Sequence, residues 1–275
     1  MEKDEIQKLA RAYITVSAYN FISKDAALRP ELAGMRVLDE PIFAFASADN
    51  EVLTSLKDNP EARIKMEPPK YWLPEAQTVI AFFFPYSERI RISNRGGGWP
   101  SDEWKHARIE GDASALQFAN SLKDALIAEG YEAVVPTCDD RFRYFEEIQA
   151  DGKKAFSSNW SERHAGYAAG LGTFSLSRGL ITEKGVAGTF FSVITSLLFE
   201  PTVPTYTGLT DNCTMCGKCA KNCPVKAIDL LTGKAYEPCS DFLHKNLEER
   251  PPYYGCGKCY VNVPCESRNP ARKQG

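Results

Sequence analysis

The sequence lacks a broad excess of basic residues. Its 275 residues include 33 Lys and Arg against 36 Asp and Glu, which gives a net charge of -3 at pH 7. Proteins that bind nucleic acids are typically basic over a wide surface, because contacts with the phosphate backbone dominate their affinity. The composition therefore argues against tRNA as a partner, although it is compatible with a local basic patch.

Long apolar runs are also lacking. No segment reaches the roughly 20 apolar residues that a membrane-spanning helix needs. The N-terminus opens with the charged segment Met1-Glu-Lys-Asp-Glu-Ile6, and not with the basic head and apolar body of a signal peptide. We therefore expect a cytoplasmic protein that has no membrane partner.

Cysteine, in contrast, is abundant at one end of the chain. Eight of the nine cysteines follow residue 212. Residues 213–224 read Cys-Thr-Met-Cys-Gly-Lys-Cys-Ala-Lys-Asn-Cys-Pro, which is the cysteine run of a bacterial-type ferredoxin. In two-cluster ferredoxins the first three thiolates of this run bind one iron–sulfur cube and the fourth binds the other. The rest of the second set must then come from later in the chain.

The later cysteines complete two sets of four, and each set predicts one 4Fe–4S cluster. Set one is Cys213, Cys216, Cys219 and Cys265, and set two is Cys223, Cys239, Cys256 and Cys259. The spacing before Cys265 is two residues longer than usual, and Pro264 precedes that cysteine instead of following it. Structural zinc favours paired Cys-x-x-Cys units, and disulfides need an oxidising compartment, so both alternatives fit less well. The ninth cysteine, Cys138, is expected to be a buried and inert thiol.

Length and composition fit one large domain and one small domain. Hydrophobic residues make up 43% of the chain, which is enough for a sizeable core. A segment rich in proline and threonine at residues 201–205 predicts a linker. We therefore expect a large domain at residues 1–205 and a ferredoxin-like domain at residues 206–275.

Apolar periodicity gives a coarse secondary structure for the first half. Residues 2–23 predict a helix, residues 35–38 and 42–47 short strands, and residues 51–59 a polar helix. The apolar run at residues 78–85 is typical of a buried central strand. Residues 87–112 carry basic residues, tryptophans and three successive glycines, and they predict a long loop that either covers a ligand or lies on the surface.

The pattern of the second half begins with a helix capped by Asp112 and ended by Gly130, followed by a strand at residues 131–136. Residues 161–172 predict a short helix with a glycine stop. Residues 178–182 and 188–198, separated by a turn, predict a hairpin. This order of helices and strands indicates an α+β fold, arranged as an α/β sandwich.

Several of these segments match a known family. Glu162-Arg163, Ala169-Gly-Leu-Gly172, Arg178-Gly-Leu-Ile-Thr182 and the double cysteine set resemble, in this order, the epoxyqueuosine reductase and reductive dehalogenase superfamily. The resemblance implies a nitroreductase-related domain that holds a cobalamin against a two-cluster ferredoxin domain. It also implies the following cofactor contacts: Ala169, Gly170, Leu171, Gly172, Thr173, Arg178 and Thr182. From the residues alone, these glycines favour packing of a helix against a strand, and the cysteine sets downstream shift the interpretation to a corrin site.

The sequence departs from the family pattern at the proton donor. Epoxyqueuosine reductases similar to this chain carry an aspartate six residues before the glutamate that Glu162 matches, and this chain has Phe156 there. The remaining weak candidates for catalysis are Asp139, Asp140, Tyr144 and His164. The two aspartates follow a predicted strand, where pocket residues and solvated turns both occur. The histidine lies in the matched segment, where a packing role is as well suited.

Taken together, the sequence predicts an iron–sulfur oxidoreductase that uses cobalamin to reduce a small molecule or a modified nucleoside. Its electrons would come from an external donor of the ferredoxin or flavodoxin kind. Relatives that act on tRNA tend to continue beyond the clusters, and this sequence stops ten residues after Cys265, which also argues against tRNA. The alternatives are a two-cluster electron carrier, a protein that reduces the corrinoid of a partner, and a large domain that binds flavin.

Overall fold

The computed structural model describes residues 1–57, 64–148 and 154–272, and its fold is mixed α/β. The strands are β1 (Ile42–Ser47), β2 (Thr78–Pro85), β3 (Ala133–Val134), β4 (Tyr144–Ile148), β5 (Lys154–Ser158), β6 (Gly172–Phe174), β7 (Leu180–Thr182), β8 (Gly188–Thr195), β9 (Ile228–Asp229) and β10 (Gly233–Lys234). The helices are α1 (Lys3–Val16), α2 (Glu51–Ser55), α3 (Pro69–Trp72), α4 (Glu88–Ser93), α5 (Asp102–His106), α6 (Asp112–Ala128), α7 (Glu162–Ala169), α8 (Lys218–Asn222) and α9 (Glu237–Glu249).

The main sheet is antiparallel throughout and, within the described residues, has the strand order β1-β2-β8-β3. Strand β2 is central, and all of its residues are buried. Phe82 and Phe84 face a core that contains residues of α1 and α6, whereas Phe83 faces a second core that contains residues of α7. Helices therefore cover both faces of the sheet, which is why β2 has no alternating polar positions. The mixed α/β architecture and the buried central strand are confirmed.

The predicted long loop at residues 87–112 is wrong, because helices occupy most of it. Helices α4 and α5 lie within it, and a π-helical turn at Ala107–Gly111 joins α5 to α6 without a break. Ser101 caps this helical segment by accepting a hydrogen bond from the Trp104 N–H, so the prediction that Asp112 is the cap is also wrong. The helical period was hidden because buried Trp104 and His106 alternate with charged residues.

The helix predicted at residues 2–23 is shorter than expected. Helix α1 ends at Val16, and a single 3-10 turn follows it. The buried side chain of Asn20 binds the Ile14 carbonyl and both backbone groups of Leu38, and so fixes the chain after the helix. Leu38 forms only an isolated bridge, and β3 is two residues long. The helix predicted at residues 51–59 ends at Ser55 as α2, and residues 58 and 59 lie outside the described residues.

The predicted hairpin between residues 178–182 and 188–198 is wrong. Strand β7 pairs with β6, whereas β8 joins the main sheet between β2 and β3. The close approach of β6 to β7 depends on Gly172, because a Cβ atom there would overlap the Ile181 carbonyl. The short helix before it is confirmed as α7, which ends at Gly170 in a left-handed conformation. None of the helices described is long and apolar enough to cross a membrane.

Candidate functional site

The four cysteines of set one line a small cavity together with the loop after β6. The surrounding residues include Leu176, Ile181 and Pro264. Burial, reinforced by the neighbouring thiols, raises the pKa of Cys265 to about 12 and that of Cys219 to about 11. A metal that binds these sulfurs must displace their protons, because thiolates and not thiols are the ligands.

The four cysteines of set two line one wall of a much larger cavity, with a volume of about 740 Å³. Burial raises the pKa of Cys256 to about 12, and the thiols of Cys259, Cys239 and Cys223 add to this shift. The eight cysteines are thus divided between two cavities. In neither set do the sulfurs converge on a single ion, since the described residues contain no group of three or more His, Cys, Asp or Glu side chains arranged to hold one metal ion. The assignment of the sets as cluster ligands stays a prediction.

The rest of the large cavity is built by elements that are far apart in sequence. The helical segment α5 to α6, the strands β4 and β5, the start of α7 and strand β8 each contribute to its wall. Its main side chains are Trp104, Arg108, Asp112, Tyr144, Phe156, Glu162, Phe190 and Tyr254. A volume of this size lies within the range of small-molecule and cofactor sites. Set two therefore opens onto a cavity that can hold a ligand.

An ion pair connects the helical segment with the cysteine-rich part of the chain. Arg108 lies in the π-helical turn and contacts the Asp112 carboxylate at 2.8 Å. Its guanidinium also donates a hydrogen bond of 3.1 Å to the Tyr254 hydroxyl, two residues before Cys256. Burial raises the pKa of Asp112, whereas the neighbouring Arg108 opposes this shift. The π-helical turn thus places a charge pair between helix α6 and the loop that carries Tyr254. Such turns are frequent at functional sites.

Trp104 forms the contact surface between the helical segment α5 to α6 and the loop of set two. Its indole is 2% exposed and packs edge-on against Tyr86, with ring centroids 5.2 Å apart. Gly255 and Gly257 lie directly against it on the other side. Nearby, the Asn94 side chain donates to the Cys256 carbonyl at 2.8 Å, and Lys258 donates to the Asn94 carbonyl at 2.9 Å. Residues 94–108, predicted as part of a loop, therefore fix the position of set two.

Several polar atoms around the large cavity are buried and have no hydrogen-bond partner among the described residues. They are Trp104 Nε1, Asp112 Oδ1, Thr137 Oγ1 and Glu162 Oε1. An unpaired buried polar atom costs roughly 1–3 kcal/mol, so such atoms usually find a partner. The four include both donors and acceptors. Trp104 Nε1 lies against Gly257, so Asp112 Oδ1, Thr137 Oγ1 and Glu162 Oε1 are the atoms of this group that remain for contacts with a ligand.

Glu162 is the most strongly perturbed carboxyl group of this cavity wall. The Ser192 hydroxyl donates a hydrogen bond of 2.6 Å to its Oε2 atom, and the Trp160 indole N–H donates to Ser192 Oγ at 3.0 Å. Burial raises the pKa of Glu162 to about 8, although the hydrogen bond from Ser192 and the nearby Trp160 indole act in the opposite direction. At neutral pH the group is therefore mostly a neutral carboxylic acid.

The residues that the family resemblance implies as cofactor contacts do not line the large cavity. Ala169 and Leu171 belong to the core beneath the sheet, and Thr173 accepts a hydrogen bond from the Asn212 N–H. Thr182 donates its hydroxyl to the Gly185 carbonyl. Arg178 accepts a hydrogen bond from Arg163 through its carbonyl group, and the next residue, Gly179, lines the cavity. The implied contacts stay a prediction, and the cavity itself is lined by other residues.

The four weak catalytic candidates are not brought together. Asp139 forms an ion pair of 2.8 Å with Arg141, and the hydrogen bond from this arginine lowers its pKa, while Asp140 is exposed. His164 bonds Ser161 at 2.8 Å and packs against Phe174, and its burial lowers its pKa to about 4. None of these three lines the large cavity.

Tyr144, the fourth candidate, does line the cavity, and so does Phe156 at the position where relatives carry an aspartate. Tyr144 is 65% exposed, and its ring stacks on Phe156 with centroids 5.1 Å apart. Phe156 in turn stacks on Tyr236 at 6.2 Å. Tyr144, Phe156 and Tyr236 therefore form a row of stacked rings. The expectation that Cys138 is a buried thiol is wrong, because that residue is exposed.

Sequence reasoning missed most of the cavity wall. Arg108 and Asp112 are four residues apart, a spacing that brings charges together on one helix face. The sequence pattern, however, predicts a loop for residues 87–112. Glu162 was noted only as a family match and resembles any acidic residue in the first turn of a helix. No local signal distinguishes it, since its burial comes from β8 and from the residues around Trp160.

Comparisons with known proteins concern the cysteine-rich segment and the fold. A family model described as a 4Fe-4S binding domain matches residues 209–229. The catabolic reductive dehalogenase NpRdhA, in a variant form, superposes with a TM-score of 0.54 at 16% identity, over 96% of this chain and 37% of that chain. Another reductive dehalogenase, described as suggesting a mechanism for B12-dependent dehalogenation, gives a TM-score of 0.50 at 18% identity, over 79% of this chain and 29% of that chain. The chain has the reductive dehalogenase fold. The resemblance inferred from Glu162-Arg163 onward is thereby confirmed at the level of the fold.

An epoxyqueuosine reductase from Streptococcus thermophilus is also similar, with a TM-score of 0.47 at 15% identity, over 96% of this chain and 66% of that chain. Another epoxyqueuosine reductase was solved with a tRNA stem loop. The chain spans 65–66% of the length of these epoxyqueuosine reductases. No match was found among the curated proteins. A reductive dehalogenase fold does not decide the substrate, and the expectation against tRNA stays a prediction.

Proposed function

We propose that this chain is a reductase that holds two 4Fe–4S clusters and a cobalamin, and that it reduces a small molecule or a modified nucleoside in the large cavity. One observation carries the proposal: set two forms a wall of a cavity of about 740 Å³ that also contains unpaired buried polar atoms. A plain electron carrier needs an accessible cluster and has no use for such a cavity. The geometry therefore favours an enzyme.

Each cysteine set fits one cluster, because four thiols line the same cavity in each case. When bound, the clusters would supply single electrons and the cobalamin would supply the reducing centre. Thr137 Oγ1 and Asp112 Oδ1 would hold amide groups of the cobalamin, since one is a hydroxyl group and the other an acceptor.

The chain separates the entry of electrons from the chemistry. Cys216 of set one is exposed, and Met215 beside it is 49% exposed. Set two faces the cavity and is covered by the Trp104 segment. We infer that an external donor of the ferredoxin or flavodoxin kind docks at set one, and that the substrate enters past Tyr144 and Phe156 on the other side.

The proposal is tested on protein reconstituted with iron and sulfide without oxygen and then incubated with aquacobalamin. We expect about eight iron atoms per chain and retention of one cobalamin after gel filtration. Iron content is measured by chemical assay, and the cobalamin by its visible absorbance. Iron without retained corrinoid would contradict the enzyme as described, and a flavin spectrum would favour the flavin alternative.

A further inference from the structure

The Glu162 carboxyl group has two oxygen atoms in different surroundings. Glu162 is the first residue of α7 and lines the large cavity. Its Oε2 atom accepts the hydrogen bond from Ser192 at 2.6 Å. Its Oε1 atom is buried and has no hydrogen-bond partner among the described residues. The protein therefore uses one oxygen of this carboxyl group and leaves the other unpaired.

The hydrogen bonds decide which oxygen carries the proton when the group is neutral. The Trp160 indole can only donate, and its N–H points to Ser192 Oγ at 3.0 Å. Ser192 therefore accepts from Trp160 and directs its own proton to Glu162 Oε2. Because Oε2 already accepts this proton, the proton of the neutral acid belongs on Oε1. The unpaired oxygen is thus a hydrogen-bond donor.

We propose that Glu162 is the proton donor of the cavity, and that it transfers the proton on Oε1 to an oxygen atom of the bound substrate during reduction. The proposal rests on the proposed function, because it assumes that reduction takes place in this cavity. Phe156, at the position where the family resemblance implies an acid, cannot donate a proton, so Glu162 would fill that role. Ser192 and Trp160 are positioning residues, since they orient the carboxyl group through the hydrogen bonds from Trp160 to Ser192 and from Ser192 to Glu162.

Two electrons, supplied by the external one-electron donor, enter the substrate, and a carbon–oxygen bond of the substrate breaks. The released oxygen forms an O–H bond with the proton from Oε1, while the O–H bond of Glu162 breaks. The carbon atom takes a second proton from solvent, and a solvent proton restores the neutral carboxyl group. The substrate gains two electrons and two protons in total.

The charged groups around the cavity are consistent with this role. The titratable groups nearby are Tyr144 on β4, the ion pair of Arg108 with Asp112 on the helical segment, Lys234 on β10, Tyr254 beside set two, and Arg163 and His164 on α7 itself. The shift in the pKa of Glu162 is caused first by burial and not by any of these charges. The carboxyl group therefore stays neutral whether or not the ion pair of Arg108 changes.

The protonation of Glu162 is tested by infrared spectroscopy of the reconstituted protein between pH 5 and pH 10. We expect a neutral carboxyl band that disappears with a midpoint at about pH 8 and that is missing in Glu162→Gln. Ser192→Ala should move the midpoint to higher pH, because the lost hydrogen bond favours the carboxylate. A midpoint near the ordinary value of about 4.3 would overturn the proposal.

The donor role is tested with styrene oxide as the probe and titanium(III) citrate as the reductant, since opening an epoxide leaves an oxygen that needs a proton. We expect Glu162→Gln to slow the reduction roughly 100- to 10,000-fold while its iron and cobalamin contents stay unchanged. The matched control is Glu132→Gln, an exposed residue outside the cavity wall, which should keep the wild-type rate. A Glu162→Gln protein that reduces the probe at the wild-type rate would overturn the donor role. Loss of iron or cobalamin from all three proteins would instead contradict the proposed function.

Discussion

Replacing Cys216 with serine is expected to halve the iron content of the reconstituted protein, from about eight to about four atoms per chain. Cys216 lines the set-one cavity together with Cys213, Cys219 and Cys265, so under the proposed assignment its loss would remove one ligand of one cluster. The cysteines of set two line the other cavity and keep their geometry. Electron transfer from an external donor should therefore fall to a small fraction, while a cluster signal remains in the electron paramagnetic resonance spectrum.

The matched control for this experiment is Cys138→Ser. Cys138 is exposed, lies outside both cysteine sets and contacts only the Asn120 amide, at 3.6 Å. This variant should retain about eight iron atoms. Full iron content in Cys216→Ser, or loss of a cluster in Cys138→Ser, would show that the division into two sets is mistaken. In Cys256→Ser, the iron content should also fall to about four atoms per chain, because the cluster of set two is lost while that of set one remains.

The sequence was informative where spacing alone determines the structure. The run at residues 213–224 brings cysteines together within a few residues, so local geometry suffices to predict a cluster site. The buried run at residues 78–85 was equally clear, because a strand covered on both faces has no polar positions. Only the count of cysteines places Cys223 in the same set as Cys256. In the structure both residues line the large cavity.

The cavity wall was not predictable from the sequence, because it depends on contacts across the chain. Trp104 and Arg108 lie in a segment whose glycines and charges indicated a loop, yet the whole stretch from Asp102 is helical. Its stability comes from tertiary packing, since Trp104 is buried between Tyr86 and the loop of set two. Packing against a distant segment outweighs local propensity here, as it commonly does in short helices.

The failed hairpin has a related cause. Residues 178–182 and 188–198 are close in sequence, and hairpins are the common outcome for such neighbours. Strand β8 instead pairs along its whole length with β2, from Gly188 opposite Pro85 to Thr195 opposite Thr78. A central strand that buries both faces gains more from a long partner than from the three residues of β7. The same pairing places Ser192 beneath Glu162 and so creates the proposed acid.

Replacing Gly257 with alanine is expected to destabilise the docking of set two on the large domain. Gly257 adopts a left-handed conformation with φ at 61°, and a Cβ atom there would overlap the Cε2 and Cζ2 atoms of Trp104. The indole is 2% exposed and packs against Tyr86, so any shift that relieves the overlap would break this packing. Overpacking of this kind costs about 1–3 kcal/mol, and the left-handed conformation adds about 1–2 kcal/mol for an alanine.

Gly233→Ala is the matched control, because it separates the clash from the backbone cost. Gly233 lies in the same cysteine-rich part of the chain and is also left-handed, with φ at 77°, but a Cβ atom there would meet nothing within 4 Å. Thermal unfolding of the reconstituted proteins should show a loss of about 1–2 kcal/mol for Gly233→Ala and about 2–5 kcal/mol for Gly257→Ala. Iron retained after gel filtration should fall only in Gly257→Ala, since Cys256 and Cys259 flank that position. Equal losses in the two variants would mean that the Trp104 contact does not hold set two in place.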